Sequence, residues 1–162
     1  MVIRLARIDD RLIHGQVATA WTKMTNINRI IVVSDEVAKD PFRTVLLKEA
    51  APPGIRANVV TIEKMLQIRD YSLFSEQAIL LLFTNPQDVV RVVQGGLSLS
   101  SVNIGGMRFQ VGKHMLTNYV SIDEKDRQAF YDLHSRGIEL ELRKVPTDRK
   151  LSLIDLLEKE KK

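Results

Sequence analysis

With 162 residues, 44% hydrophobic and 27% charged, the chain is long enough to bury a substantial core and too apolar to stay disordered. Its formal charge of +4 comes from 24 Lys+Arg against 20 Asp+Glu, part of it in the terminal "LEKEKK". So modest and dispersed a surplus argues against a nucleic-acid partner, which would need clustered basic residues with aromatics. The absence of cysteine excludes disulfides and thiolate zinc sites.

The start "MVIRLARIDD" has no cationic region followed by a long apolar run, and "AILLLF" (Ala78–Phe83) is far too short to span a bilayer. A cytoplasmic protein without direct membrane insertion is expected. No repeat, low-complexity stretch or Pro/Gly/Ser-rich linker interrupts the sequence, which predicts a single domain over residues 1–162.

Short β-branched runs alternate with helical stretches. In chain order, strands are predicted at Val2–Arg7, Arg29–Ser34, Ala57–Ile62, Ala78–Phe83, Ser101–Gly105 and Ile138–Val145, with a shorter one within Asn118–Ile122. Helices are predicted at Gly15–Met24, Pro41–Ala51, Ile62–Arg69, Pro86–Gln94, Asp123–Ser135 and Ser152–Lys159. Asp40-Pro41 and Asn85-Pro86 are start signals, a capping residue followed by proline, and Gly137 is a stop signal. Near-continuous apolar strands suit a sheet covered on both faces. The alternation then predicts an open, doubly wound α/β fold with a mainly parallel sheet of six to seven strands. "IELELRKV", which alternates apolar and charged residues, is expected as a half-exposed edge strand. Trp21 and Met24 are expected in the core.

In such sheets ligands bind beyond the carboxyl ends of the strands. That rule selects the loops Ile8–Gly15, Asp35–Asp40, Thr84–Asn85 and Gly105–Gly112. The first, within "RIDDRLIHGQV", carries His14. Neutral imidazole is a good nucleophile toward phosphorus, because its ordinary pKa is about 6.5. A phosphoryl group there needs cations and amide donors around its oxygens. Arg11 and Arg7 supply guanidinium forks, and Gly15 and Gln16 open the following helix, whose free N–H groups suit an anion. Asp9 and Asp10 can orient the imidazole or brace the arginines. On residues alone, a phosphoryl site and a capping or core histidine stay about equally open, and an anion- or nucleotide-binding regulatory α/β domain is the alternative function.

His114 reads as a solvated loop residue, and His134, in the last turn of a helix, as structural. No His/Asp/Glu spacing suggests a metal, and neither a dinucleotide fingerprint nor a phosphate-binding P-loop is present. No cofactor and no metal is expected.

"ARIDDRLIHGQVATAW" (Ala6–Trp21) closely resembles the N-terminal signature of the IIB components of the mannose/fructose/sorbose-type sugar phosphotransferase system (PTS). The likeness continues through "IIVVSDEVAKDPFR", "LKEAAPPGI", "LLFTNPQDV", "VNIGGMRF" and "GIELELRKVP", covering nearly the whole chain. "VNIGGMRF" looks especially like the fructose/levan-associated branch. The resemblance implies a phosphoryl relay needing no magnesium. His14 would accept the group from a phosphorylated IIA component, through Nδ1, and pass it to a sugar entering through the membrane IIC and IID components. It also implies that Arg11 and Arg7 hold the phosphoryl oxygens, with Asp10, Gly15 and Gln16 in the same loop. Asp35, Asp40, Phe42 and Met107 are expected to rim the docking surface.

Overall fold

The computed structural model describes residues 1–161, apart from the side chains of residues 16 and 17. Nine strands and seven helices follow one another as β1 (Val2–Asp9), α1 (Gly15–Thr25), β2 (Arg29–Val33), α2 (Asp35–Ala38), α3 (Pro41–Glu49), β3 (Arg56–Val60), α4 (Ile62–Ile68), β4 (Ala78–Phe83), α5 (Pro86–Gln94), β5 (Ser101–Gly106), β6 (His114–Thr117), β7 (Val120–Ile122), α6 (Glu124–Ser135), β8 (Glu139–Leu142), β9 (Leu151–Ser152) and α7 (Leu153–Glu160) among the described residues. Seven strands form one sheet in the order β3-β2-β4-β1-β5-β8-β9, parallel except where β9 pairs antiparallel with β8.

Alternation along the strands builds two cores. Ile8, Ile31, Leu81, Phe83, Ile104 and Leu142 face one side, where α4, α5, α6 and α7 contribute Met65, Val89, Phe130 and Leu157. Ile30, Val32, Leu80 and Leu82 face the other, against Trp21 of α1, Val37 of α2 and Leu47 of α3. The connection after β1 therefore runs over one face and that after β4 over the other. These neighbouring strands part at their carboxyl ends, the place where an open α/β sheet forms its crevice.

The start signals act as predicted. Asp40 and Asn85 cap α3 and α5 by accepting from the Arg43 and Asp88 backbone N–H groups at 3.1 and 2.8 Å. Asp123 and Asp126 complete a reciprocal capping box on α6.

Several expectations need correction. The Asp35–Asp40 loop contains helix α2, because the Ser34 hydroxyl accepts from the Val37 N–H and nucleates a turn. The third strand stops at Val60, since Thr61 caps α4 and draws Ile62 into that helix. The strand expected within Asn118–Ile122 is one arm of the β6–β7 hairpin, so His114 lies on a strand and not in a loop. Strand β8 is not the edge. Its Glu141 is buried, because Arg143 and Asn103 satisfy the carboxylate and β9 covers the outer side. Trp21 is buried as expected, but Met24 lies half exposed near the end of α1.

Candidate functional site

Strand β1 ends in a tight irregular loop that delivers His14 to the start of α1. The Leu12 side chain is buried and anchors this loop, while its backbone sits in the left-handed region at φ 60. That conformation is costly for a branched residue and concentrates at functional sites. The Leu12 carbonyl lies 2.8 Å from His14 Nδ1, which fixes Nδ1 as the protonated nitrogen when the ring is neutral. Nε2 is buried and has no hydrogen-bond partner among the described residues.

His14 is also the N-cap residue of α1, and its side chain makes no capping bond. Side chains of Ser34, Asp40, Thr61, Asn85, Asp123 and Ser152 cap the other six α-helices among the described residues. The first turn of α1 also holds no acidic residue. Its orphan N–H groups and the positive end of its dipole are therefore left open to an anion. Gly15 takes φ +45 there, with no neighbour within 4 Å of where a Cβ would stand. The Gln16 side chain lies outside the described residues.

Asp9 organises the arginines. Its carboxylate is fully buried and accepts from Arg7 Nη2 at 2.9 Å, Arg11 Nε at 3.2 Å and the Arg11 backbone N–H at 3.1 Å. Arg11 keeps 46% of its side chain exposed, so its outer donors reach solvent next to the His14 loop.

Arg7 is placed differently from the sequence expectation of a phosphoryl ligand. It is 2% exposed, and its donors are occupied by Asn103 Oδ1, Asp9 and the carbonyls of Arg143 and Lys144. Burial lowers its pKa and the Asp9 carboxylate opposes that shift. Arg7 and Arg143 flank the Trp21 ring, 5.0 and 5.1 Å from its centroid. Strand β5 admits Arg7 only because residue 105 is glycine, where a Cβ would meet the guanidinium at 2.0 Å.

Asp10 braces neither arginine nor imidazole. Its carboxylate accepts from the Arg108 backbone N–H at 2.7 Å, tying the His14 loop to the loop after β5. This strut separates two clefts, one of about 280 Å³ beside Glu36, Arg43, Asn85 and Lys113, and one of about 430 Å³ beside Arg11, Phe109, Tyr119 and Lys144.

Of the expected rim, Phe42 is 74% exposed and Asp40 lies at the surface as a helix cap. Met107 is a correction. It is buried under the β6–β7 hairpin, where its backbone pairs with Tyr119 and Ser121, and the neighbouring Phe109 is exposed instead. Asp35 is engaged in the fold, accepting from the Ile62 N–H at 2.9 Å and Arg91 at 2.9 Å; the Ile62 bond chiefly holds its carboxyl below the usual range. His114 pairs with Glu160 at 3.0 Å, outside the His14 loop.

Asn103, Glu141, Arg143 and Trp21 belong to the support of this site and escaped sequence reasoning. The available signals were an asparagine inside the β-branched "SVNIG" and charges at alternate positions of "IELELRKV".

Fold and site define a class: a doubly wound α/β protein presenting a histidine at an uncapped helix start, beside a carboxylate-held arginine. Comparison with known proteins specifies it. The model of the PTS system sorbose subfamily IIB component matches residues 3–162, and the chain belongs to that family. It is 58% identical over 159 residues to the PTS system mannose-specific EIIAB component of Escherichia coli (strain K12), covering 98% of this chain and 49% of that one. The chain thus spans about half the length of that relative. The PTS system sorbose-specific EIIB component of Lacticaseibacillus casei is 49% identical, over 91% of this chain and 90% of its own. The crystal structure of the IIBSor domain of the sorbose permease from Klebsiella pneumoniae superposes with a TM-score of 0.96 at 45% identity, covering 98% of each chain. Against 58% for the mannose-specific relative, identity to the fructose-specific EIIB component of Bacillus subtilis (strain 168) is 41%, so the fructose/levan likeness of "VNIGGMRF" does not extend to the whole chain.

Proposed function

We propose that this chain, acting as one IIB domain over residues 1–162, carries a phosphoryl group on His14 during sugar uptake. A phosphohistidine of a IIA component donates the group, and a hexose of the mannose, fructose or sorbose class accepts it at the membrane IIC and IID components. The observation that carries this reading is the placement of His14 at the one α-helix start left without a side-chain cap among the described residues, next to Arg11. No helix of the described residues is long and apolar enough to cross a membrane, which suits a protein that docks on permease components at the cytoplasmic surface.

In the proposed step His14 Nδ1 attacks the incoming phosphorus in line and the bond to the donor imidazole breaks. The work of the chain is positioning and charge stabilisation. Before attack the contact between Nδ1 and the Leu12 carbonyl must open and the ring proton must pass to Nε2, which frees the Nδ1 lone pair. The donor imidazole leaves with the electrons of the broken P–N bond. Arg11 then steadies the phosphoryl oxygens from outside while Asp9 holds it from within. Gly15 and Gln16 contribute backbone amides. Arg7, fully engaged by buried partners, acts as a positioning residue for Asp9. Asp40 and Phe42, with the exposed Phe109, form the docking rim. A histidine donor and a histidine acceptor make the step nearly isoenergetic, and an edge loop suits a group handed between proteins.

Incubation with phosphoenolpyruvate, the general phosphotransferase proteins and a IIA partner tests this reading. An acid-labile phosphate is expected on the wild type and absent from His14→Ala. A His14→Ala variant that still acquires it overturns the assignment.

A further inference from the structure

Strand β1, which runs into the His14 loop, and its neighbours β5 and β8 carry a continuous buried polar chain. Arg143 grips Glu141 with two bonds of 3.0 and 2.9 Å, and Glu141 accepts from Asn103 Nδ2 at 3.1 Å. Asn103 Oδ1 in turn accepts from Arg7 Nη1, Arg7 Nη2 donates to Asp9 at 2.9 Å, and Asp9 holds Arg11. Asn103, Glu141, Arg7 and Asp9 are each at most 4% exposed. The chain crosses β8, β5 and β1 in the order in which they pair, with Asn103 opposite both Glu141 and Arg7. Its first members lie far in sequence from His14, and its last member is the one arginine of the loop that reaches solvent.

Asn103 occupies the position where this chain depends on one residue. Its amide is the element that presents an acceptor to a cation and a donor to a carboxylate at once. An apolar side chain would leave Arg7 short of a partner and Glu141 short of a donor, in surroundings where neither can turn to water. Arg7 would then recentre on Asp9, and Asp9 would no longer present the same two oxygens to Arg11.

We infer that Asn103, backed by Glu141, is a positioning residue for phosphoryl acceptance: it fixes Arg7, through Arg7 the Asp9 carboxylate, and through Asp9 the guanidinium of Arg11 beside His14. This rests on the phosphoryl-carrier reading of His14. Asn103 touches no reacting atom. It governs how well the site is formed and not how a partner docks.

Two donors separate these possibilities: a phosphorylated IIA protein, which must dock, and phosphoramidate, which phosphorylates imidazole without docking. Asn103→Ala is expected to slow acceptance at least tenfold with both donors, with KM for the protein donor within about twofold of wild type. Exchanging the pair, Asn103→Asp with Glu141→Gln, keeps the charge count, keeps an acceptor for Arg7 and reverses the hydrogen bond between the two side chains, at the loss of the Arg143 Nη2 bond to the same atom of residue 141. This exchange is expected to recover part of the rate that Asn103→Ala loses. In the wild type, the Arg7 guanidinium nitrogen resonances should shift when His14 is phosphorylated, a measurement that stands even if Asn103→Ala does not fold.

A folded Asn103→Ala with wild-type rates overturns the inference, and so does a loss that merely follows the folded fraction. An exchange variant no better than Asn103→Ala, or Arg7 resonances unmoved by phosphorylation, does the same. A wild type that takes phosphate from neither donor overturns the phosphoryl-carrier reading itself, which the other outcomes leave standing.

Discussion

Strands β1, β5 and β8 present two opposite faces made of alternate residues. One face carries Ala6, Ile8, Val102, Ile104, Leu140 and Leu142, all in a dry core under the helices. The other carries Arg7, Asp9, Asn103, Glu141 and Arg143, with Trp21 as the aromatic partner. Burial is comparable on both, but the energetics differ. Apolar contacts are non-directional and tolerate small shifts, whereas the ionic face holds together only while every donor and acceptor is matched. The dry face accordingly stabilises the sheet, and the polar face transmits a defined geometry to the loop at its end.

The largest expected effect on phosphoryl transfer comes from Gly105→Ala on the polar face. Its Cβ would fall on the Arg7 guanidinium, which four bonds hold in place. Overpacking of about 1–3 kcal/mol should accompany a loss of phosphoryl acceptance of roughly tenfold or more. Paired measurements of denaturant midpoint and transfer rate would show both.

On the dry face, Ile104→Ala should cost about 2–5 kcal/mol in the same unfolding experiment. Transfer per folded molecule should stay at the wild-type level; a fall would mean that the two faces are not separable.

Arg11→Lys isolates the exposed end of the chain. An ammonium cannot reproduce a fork shared between Asp9 and a phosphoryl group, so transfer should slow by roughly fivefold to tenfold, about 1–1.4 kcal/mol, with stability almost unchanged.

The smallest effect concerns Asp35, whose carboxyl titrates below its ordinary value because of the Ile62 N–H and, after it, Arg91. A folded pKa below the unfolded one means that the unfolded state binds the extra proton first. The contribution is therefore present above about pH 4 and lost as pH falls through the lowered value. Asp35→Asn should flatten that part of the acid limb of a stability-against-pH curve while leaving transfer at neutral pH unchanged.

How much of this was legible in the sequence follows from range. Periodicity and caps are local, so the order of strands and helices, the Asp40 and Asn85 caps and the His14 loop could be read directly. Glu141 misled, because alternating charges normally mark an exposed strand. Its burial depends on Asn103 and Arg143 across β5 and after β8, a match visible only once the strands pair. Arg7 reads as a phosphoryl ligand for the same reason. Met107 reads as rim by its place in "GGMRF", although the hairpin β6–β7 folds over it.

The account turns most directly on which atom carries the phosphate. Nitrogen-15-labelled histidine, followed by phosphorus and nitrogen NMR of the phosphorylated protein, answers that in one sample. The expected result is a single phosphoramidate on His14 Nδ1, with the Nδ1 contact to the Leu12 carbonyl lost. A phosphate on His114 or His134, or none on any histidine, would contradict it.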